Sequence, residues 1–209
     1  MTDVTPAEMA ALLDRAAAMK AAPRAETPLA GRIVAMIFEK PSTRTRVSFE
    51  AGIAQLGGTP IVLSAAELQL GRGETIEDTG RVLGRYVDAI VARTFEQDRL
   101  TRLASSSGIP VVNALSDEEH PCQALADLLT MRERFGGLAG RRCAFVGDGN
   151  NVAHSLMLAG AMAGLTVAVA TPPGYEPVEQ IVKAASDLAA AGGGAIETTD
   201  DPAAAVSGA

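Results

Sequence analysis

Arg32-Ile33-Val34-Ala35-Met36-Ile37-Phe38, followed at once by Glu39-Lys40-Pro41-Ser42-Thr43-Arg44-Thr45-Arg46, is the stretch on which the fold turns. The first part is an unbroken apolar run of strand length, the pattern of a strand buried on both faces in a parallel sheet. The second part is polar and leads into a helical segment up to Leu56, where Phe49, Ile53 and Leu56 follow the i, i+4, i+7 rule. Gly57-Gly58 stops it. The same strand, turn, helix cycle recurs outward from this stretch. Strands are predicted at 59–63, 88–92 and 110–113, with helices at 75–86, 95–107 and 121–135. After the turn residues 136–140 the cycle restarts, with strands at 142–146, 165–170 and 195–198 and helices at 151–163 and 177–191. Thr5-Pro6-Ala7-Glu8 is a capping box that opens an N-terminal helix. Such alternation predicts an α/β protein of two doubly wound parallel-sheet domains, over residues 1–136 and 141–209.

Composition agrees with an ordinary globular chain. Of 209 residues 47% are hydrophobic and 21% charged, but only 3% are aromatic and none is Trp, so the cores must be built from aliphatic residues and Met. Eighteen basic against 25 acidic residues give −7, a poor balance for gripping a nucleic-acid backbone. No run approaches the roughly 18 apolar residues of a membrane span, and the N-terminus lacks the pattern of a signal peptide. Two cysteines, Cys122 and Cys143, suit a reducing compartment and read as buried thiols. A cytoplasmic protein with no membrane and no nucleic-acid partner is expected.

Three strand-to-helix turns carry chemistry. Within residues 42–46, Ser42, Thr43 and Thr45 offer three hydroxyls and Arg44 and Arg46 two guanidiniums, at a helix start. Helix starts present unpaired N–H groups and a positive dipole end, and the arginine fork matches phosphate oxygens, so this turn reads as a phosphate site. A plain N-cap beside two solvated arginines needs fewer hydroxyls and charges than are present. No P-loop motif occurs. His120-Pro121-Cys122-Gln123 opens the helix at 121–135. His120 there suits hydrogen bonding to a developing oxyanion or proton shuttling, although a capping role also fits. His120 and Cys122 lack a second ligand pair, so a metal is not expected. Val146-Gly147-Asp148-Gly149-Asn150-Asn151-Val152 looks like half a dinucleotide fingerprint. It lacks the third glycine, and the next strand ends at Ala170-Thr171-Pro172 without the acidic residue a ribose needs, so no NAD(P) is expected. Its two asparagines suit the carboxylate or amine of a small substrate, or serve as caps. Arg93 ends a predicted strand, where open α/β sheets place ligands. His154 falls inside a helix and reads as packing.

Residues 38–50, Phe38-Glu39-Lys40-Pro41-Ser42-Thr43-Arg44-Thr45-Arg46-Val47-Ser48-Phe49-Glu50, resemble the carbamoyl-phosphate signature of the aspartate and ornithine carbamoyltransferases. His120-Pro121-Cys122-Gln123-Ala124-Leu125-Ala126-Asp127 resembles that family's second motif, in the right order. The Gly147–Val152 turn, Lys40 and the stretch Ala170-Thr171-Pro172-Pro173-Gly174-Tyr175-Glu176-Pro177 resemble its ornithine branch. The resemblance covers essentially the whole chain. It implies two α/β domains, a homotrimer or multiple of trimers, and carbamoyl transfer from carbamoyl phosphate to the δ-amine of L-ornithine without metal or cofactor. It further implies that Ser42, Thr43, Arg44 and Thr45 hold carbamoyl phosphate, that Arg93 and His120 join Thr45 around its carbonyl, and that Gln123 orients its NH2. Arg44, Arg93 and His120 are then the catalytic groups. Gln69 resembles a residue that reaches the neighbouring subunit's site, and Asn151 an ornithine contact.

The same resemblance implies that the second domain is truncated. The family continues past a stretch like 200–205 with another strand, a substrate-binding Asp, a Ser-Met-Gly loop, a His-Cys-Leu-Pro motif and a closing helix, none of which occurs before Ala209. A fragment of a carbamoyltransferase is expected. The alternatives are a short carbamoyl-phosphate-binding module without turnover and a putrescine carbamoyltransferase.

Overall fold

The structure, a computed structural model, describes all 209 residues except 24, 65–67 and 69–72. Among the described residues, Cα packing divides the chain into two units, Met19–Asp117 and Met1–Ala18 with Glu118–Ala209. The predicted α/β class is observed in both, as a parallel sheet in each.

In the Met19–Asp117 unit the strands are β1 (Ile33–Phe38), β2 (Thr59–Ser64), β3 (Ala89–Arg93) and β4 (Val111–Leu115), in the order β2-β1-β3-β4. The helix that follows Phe38 runs from Thr43 to Gln55, three residues or more earlier than a start after Arg46 would give, because the Ser42 side chain caps it. The α1 helix is Pro6–Ala21, so Thr43–Gln55 is α2, followed by α3 (Ile76–Leu83) and α4 (Gln97–Ser107). Alternate residues of β1 feed opposite cores, as a period of two requires. Ala35 and Ile37 pack with Ile76, Leu100 and Leu103 of α3 and α4. Val34, Met36 and Phe38 pack with Phe49 and Ile53 of α2. Both faces are therefore covered, which explains why the β1 sequence is apolar throughout rather than alternating.

The second unit holds α5 (Pro121–Phe135), β5 (Arg142–Val146), α6 (Asn151–Met162), β6 (Thr166–Ala170), α7 (Glu179–Gly192), β7 (Ala195–Thr199) and α8 (Pro202–Val206). Its sheet order is β5-β6-β7. Met9 and Leu13 of α1, Leu128 of α5, most of α6 and Val167 and Val169 of β6 form one core. On the other sheet face Ala205 of α8 packs on Ala168 and Ala170. The α8 turn was not anticipated, since Pro202 to Val206 is too short for periodicity to register. The predicted α1 capping box is present, with Glu8 N–H on the Thr5 hydroxyl at 3.2 Å and Thr5 N–H on the Glu8 carboxylate at 2.8 Å. The break between these two packing units falls before α5. Arg132 of α5 donates to the Asp14 carboxylate and the Leu13 carbonyl, both at 2.7 Å, which groups α5 with α1. Among the described residues no helix is long and apolar enough to cross a membrane.

Candidate functional site

The phosphate-site residues sit where β1 hands over to α2. Ser42 is extended, at φ −161° and ψ 110°, and its hydroxyl accepts the Thr45 N–H at 3.3 Å while donating to Thr45 Oγ1 at 2.9 Å. One orphan N–H of the helix start is thereby satisfied, and those of Thr43 and Arg44 lie too early in the helix for an intrahelical acceptor. Arg44 is exposed and has no ion pair among the described residues. Arg46 is instead tied to Glu50 at 3.3 Å, one helical turn on. An open cleft of about 540 Å3 lies against this turn, lined by Phe38, Pro41, Ser42, Thr43 and Arg46 among others.

Arg93 belongs to the same edge. It ends β3, directly across the parallel ladder from Phe38. The β3–β4 register shifts between Ala92 and Arg93, so Arg93 pairs with Leu115. Irregularities of this kind re-aim a side chain at the end of a strand. Its Nε is buried and has no hydrogen-bond partner among the described residues, and burial pushes the guanidinium below its ordinary value. A buried donor without a partner is costly and calls for an acceptor. A hydroxyl-lined helix mouth with an exposed arginine thus lies beside a strand end carrying another, an arrangement chemically suited to an oxyanion.

The residues after β1 are braced from outside. Lys40 pairs with Asp117 and lies 4.5 Å from the Phe95 ring centroid. Glu39 accepts from Thr94 Oγ1 and from Arg99 Nη2. Sequence reading missed these braces, because a Lys or Glu beside a cationic turn carries no local mark of a partner more than 50 residues away.

In the other unit His120 caps α5 without a side-chain cap bond, and its N–H donates to the buried Ser155 hydroxyl of α6 at 2.8 Å. The Gln123 NH2 donates to Asp127 at 2.8 Å, leaving its carbonyl as an acceptor. Asn150, rather than Asn151, is the cap of α6, accepting from Val152 and Ala153 N–H at 3.0 and 3.4 Å. Asn151 follows as the first helical residue, half-buried. Gly149 must be glycine, since a Cβ there would lie 2.2 Å from the Pro177 nitrogen. His154 is buried as expected. Its Nε2 accepts the Val178 N–H at 3.1 Å, so the proton is on Nδ1, which donates to the Glu118 carbonyl at 2.9 Å. Both cysteines are free, and burial pushes both thiols above their ordinary value. Gln69 lies outside the described residues.

An α/β protein built on parallel sheets, with hydroxyls and arginines gathered at one strand end, is the class these features define. Residues 1–133 match the carbamoyl-P binding domain of the aspartate/ornithine carbamoyltransferases, and residues 139–209 match their Asp/Orn binding domain. The chain belongs to the aspartate/ornithine carbamoyltransferase family. It is 61% identical to the ornithine carbamoyltransferase of Parafrankia sp., covering 100% of this chain and 67% of that protein. It is 63% identical to that of Acidothermus cellulolyticus, covering 96% and 64%. Among solved structures it is similar to the ornithine carbamoyltransferase from Pyrococcus furiosus, with a TM-score of 0.94 and 51% identity, covering 98% of this chain and 66% of the other. The chain thus spans about two-thirds of the length of the curated relatives it matches.

Proposed function

We propose that the protein acts as an ornithine carbamoyltransferase, converting carbamoyl phosphate and L-ornithine to L-citrulline and phosphate. The observation that carries this reading is the Ser42-capped helix mouth with unpaired Arg44, set on the strand next to one that ends in Arg93 with its unpartnered Nε. The unprotonated δ-amine attacks the carbamoyl carbon, a C–N bond forms, the bond from that carbon to the bridging phosphate oxygen breaks, and the amine proton leaves with the departing phosphate or to solvent. Negative charge grows first on the carbonyl oxygen and then on the phosphate. Fixed donors and cations aimed at both oxygens lower the barrier, each worth on the order of 3 kcal/mol.

In this reading Ser42, Thr43, Arg44 and Thr45 bind the phosphate, and Thr45, Arg93 and His120 stabilise the carbonyl oxygen. Gln123 suits the carbamoyl NH2, because its own NH2 is spent on Asp127 and its carbonyl is left to accept. Asn151 contacts ornithine, and Gln69 serves a neighbouring subunit of a trimer. Residues 1–136 act as the carbamoyl-phosphate domain and 141–209 as part of the ornithine domain, in the cytoplasm. The relatives named ornithine carbamoyltransferase support ornithine over putrescine. The test is titration of the 209-residue chain with carbamoyl phosphate, followed by assay of citrulline against carbamoyl-putrescine formation. Saturable carbamoyl-phosphate binding and a preference for ornithine are expected. Absence of carbamoyl-phosphate binding would refute the assignment of the Ser42 turn.

A further inference from the structure

Glu39 stands on the wall of the same cleft as Ser42, Thr43 and Arg46. A carboxylate in that place opposes an incoming anion, and the opposition is strongest where solvent is partly excluded. The fold restrains it at three points. Its N–H donates to the Arg93 carbonyl at 2.9 Å, which extends the β1–β3 ladder one step beyond Phe38. Its carboxylate accepts from the Thr94 hydroxyl and, at 2.8 Å, from Arg99 in the first turn of α4. The Glu39 side chain is left only 11% exposed.

We propose that Arg99 is a positioning residue for the anion site, pairing with Glu39 so that its charge is cancelled and its carboxylate is held toward α4. The proposal rests on the phosphate reading of the Ser42 turn. Without Arg99 the carboxylate is an uncompensated anion one residue beyond β1. Arg93, whose main-chain carbonyl accepts the Glu39 N–H and whose guanidinium Nε has no partner among the described residues, then offers the released carboxylate a competing cation. An incoming phosphate must then displace it.

The experiment is calorimetric titration of the 209-residue protein with inorganic phosphate and with carbamoyl phosphate, using wild type, Arg99→Met, Arg99→Lys and the double variant Glu39→Gln/Arg99→Met. Arg99→Met is expected to weaken both anions about tenfold, because an uncompensated carboxylate on the cleft wall then opposes each of them. Arg99→Lys keeps the charge and should stay within about threefold of wild type. The double variant replaces a partly buried pair by neutral groups of similar shape, so it should fold and recover to within about threefold of wild type. A role confined to stability would leave the double variant as weak as the single one. That result, or wild-type affinity in Arg99→Met, overturns the proposal. Should Arg99→Met not fold, a double variant more than about tenfold weaker than wild type overturns it equally. Failure of wild type itself to bind either anion overturns the phosphate reading instead, and so is told apart from failure of the Arg99 assignment.

Discussion

Replacing Arg44 by alanine separates binding from folding more cleanly than any other change at the Ser42 turn. Arg44 is exposed in the first turn of α2 and holds no ion pair among the described residues, so its removal costs the fold little. Surface changes away from special features stay within about 0.5 kcal/mol, and alanine is a good helix former. Binding is different. A bidentate guanidinium–phosphate contact contributes two charge-assisted hydrogen bonds of about 1.5–3 kcal/mol each, partly replaced by water when the side chain is lost. A net loss of about 3 kcal/mol is expected, which is roughly a hundredfold in dissociation constant. Arg46→Ala is the internal control, because that side chain is already engaged by Glu50 and its loss should change affinity far less. Titration with carbamoyl phosphate gives the affinities, and thermal melts followed by circular dichroism give the fold. An Arg44→Ala protein that melts like wild type and binds carbamoyl phosphate within about threefold of it would refute the assignment of this turn.

Other consequences can be checked on the same protein. Gly149→Ala forces a Cβ to 2.2 Å from the Pro177 nitrogen and 2.6 Å from the Glu176 carbonyl carbon, backbone atoms that cannot swing aside, so a loss of about 1–3 kcal/mol should appear in urea melts. Ser155→Ala removes the acceptor of the His120 N–H inside the core. It should cost about 1–3 kcal/mol and speed hydrogen exchange at the His120 amide. Leu128→Ala, at a side chain with no exposed surface, should cost about 2–5 kcal/mol. Glu77 is held down at about 2 by its paired hydrogen bonds from Arg102, at 2.6 and 2.9 Å. A carboxylate depressed in the folded state stabilises above its ordinary value of 4.5 and loses that contribution as pH falls toward about 2. Wild type should therefore show a steeper acid limb between those values than Glu77→Gln, and coincident acid limbs would refute the pairing.

The strand and helix alternation was legible because each apolar run is short and each ends in turn residues. The β1 run and the i, i+4, i+7 apolar positions up to Leu56 suffice to place a strand buried on both faces and a helix after it. The start of α2 was less legible: Thr43 to Arg46 are polar whether they precede a helix or begin one, and only the Ser42 hydroxyl on the Thr45 N–H decides. The site residues were legible where chemistry is local, as in residues 42–46. Arg93 is marked by its place at a strand end and by the family resemblance, while its shifted register with Leu115 has no sequence signature. The Glu39–Arg99 and Lys40–Asp117 pairs were invisible because they join residues distant along the chain. The packing of α5 with α1 likewise depends on Arg132 meeting Asp14, a contact no window of sequence contains.

Helix α6 is buried at nearly every position, from Ala153 through Met162. A helix without a wet face cannot fray sideways, so its amides open only when the whole unit does. That rigidity is inherited by what hangs from it. Asn151 stands at its first turn, and Ser155 grips the backbone of His120. Deuterium uptake should accordingly run slowest through α6, giving these two residues a mooring that moves on the timescale of global unfolding rather than of loop motion.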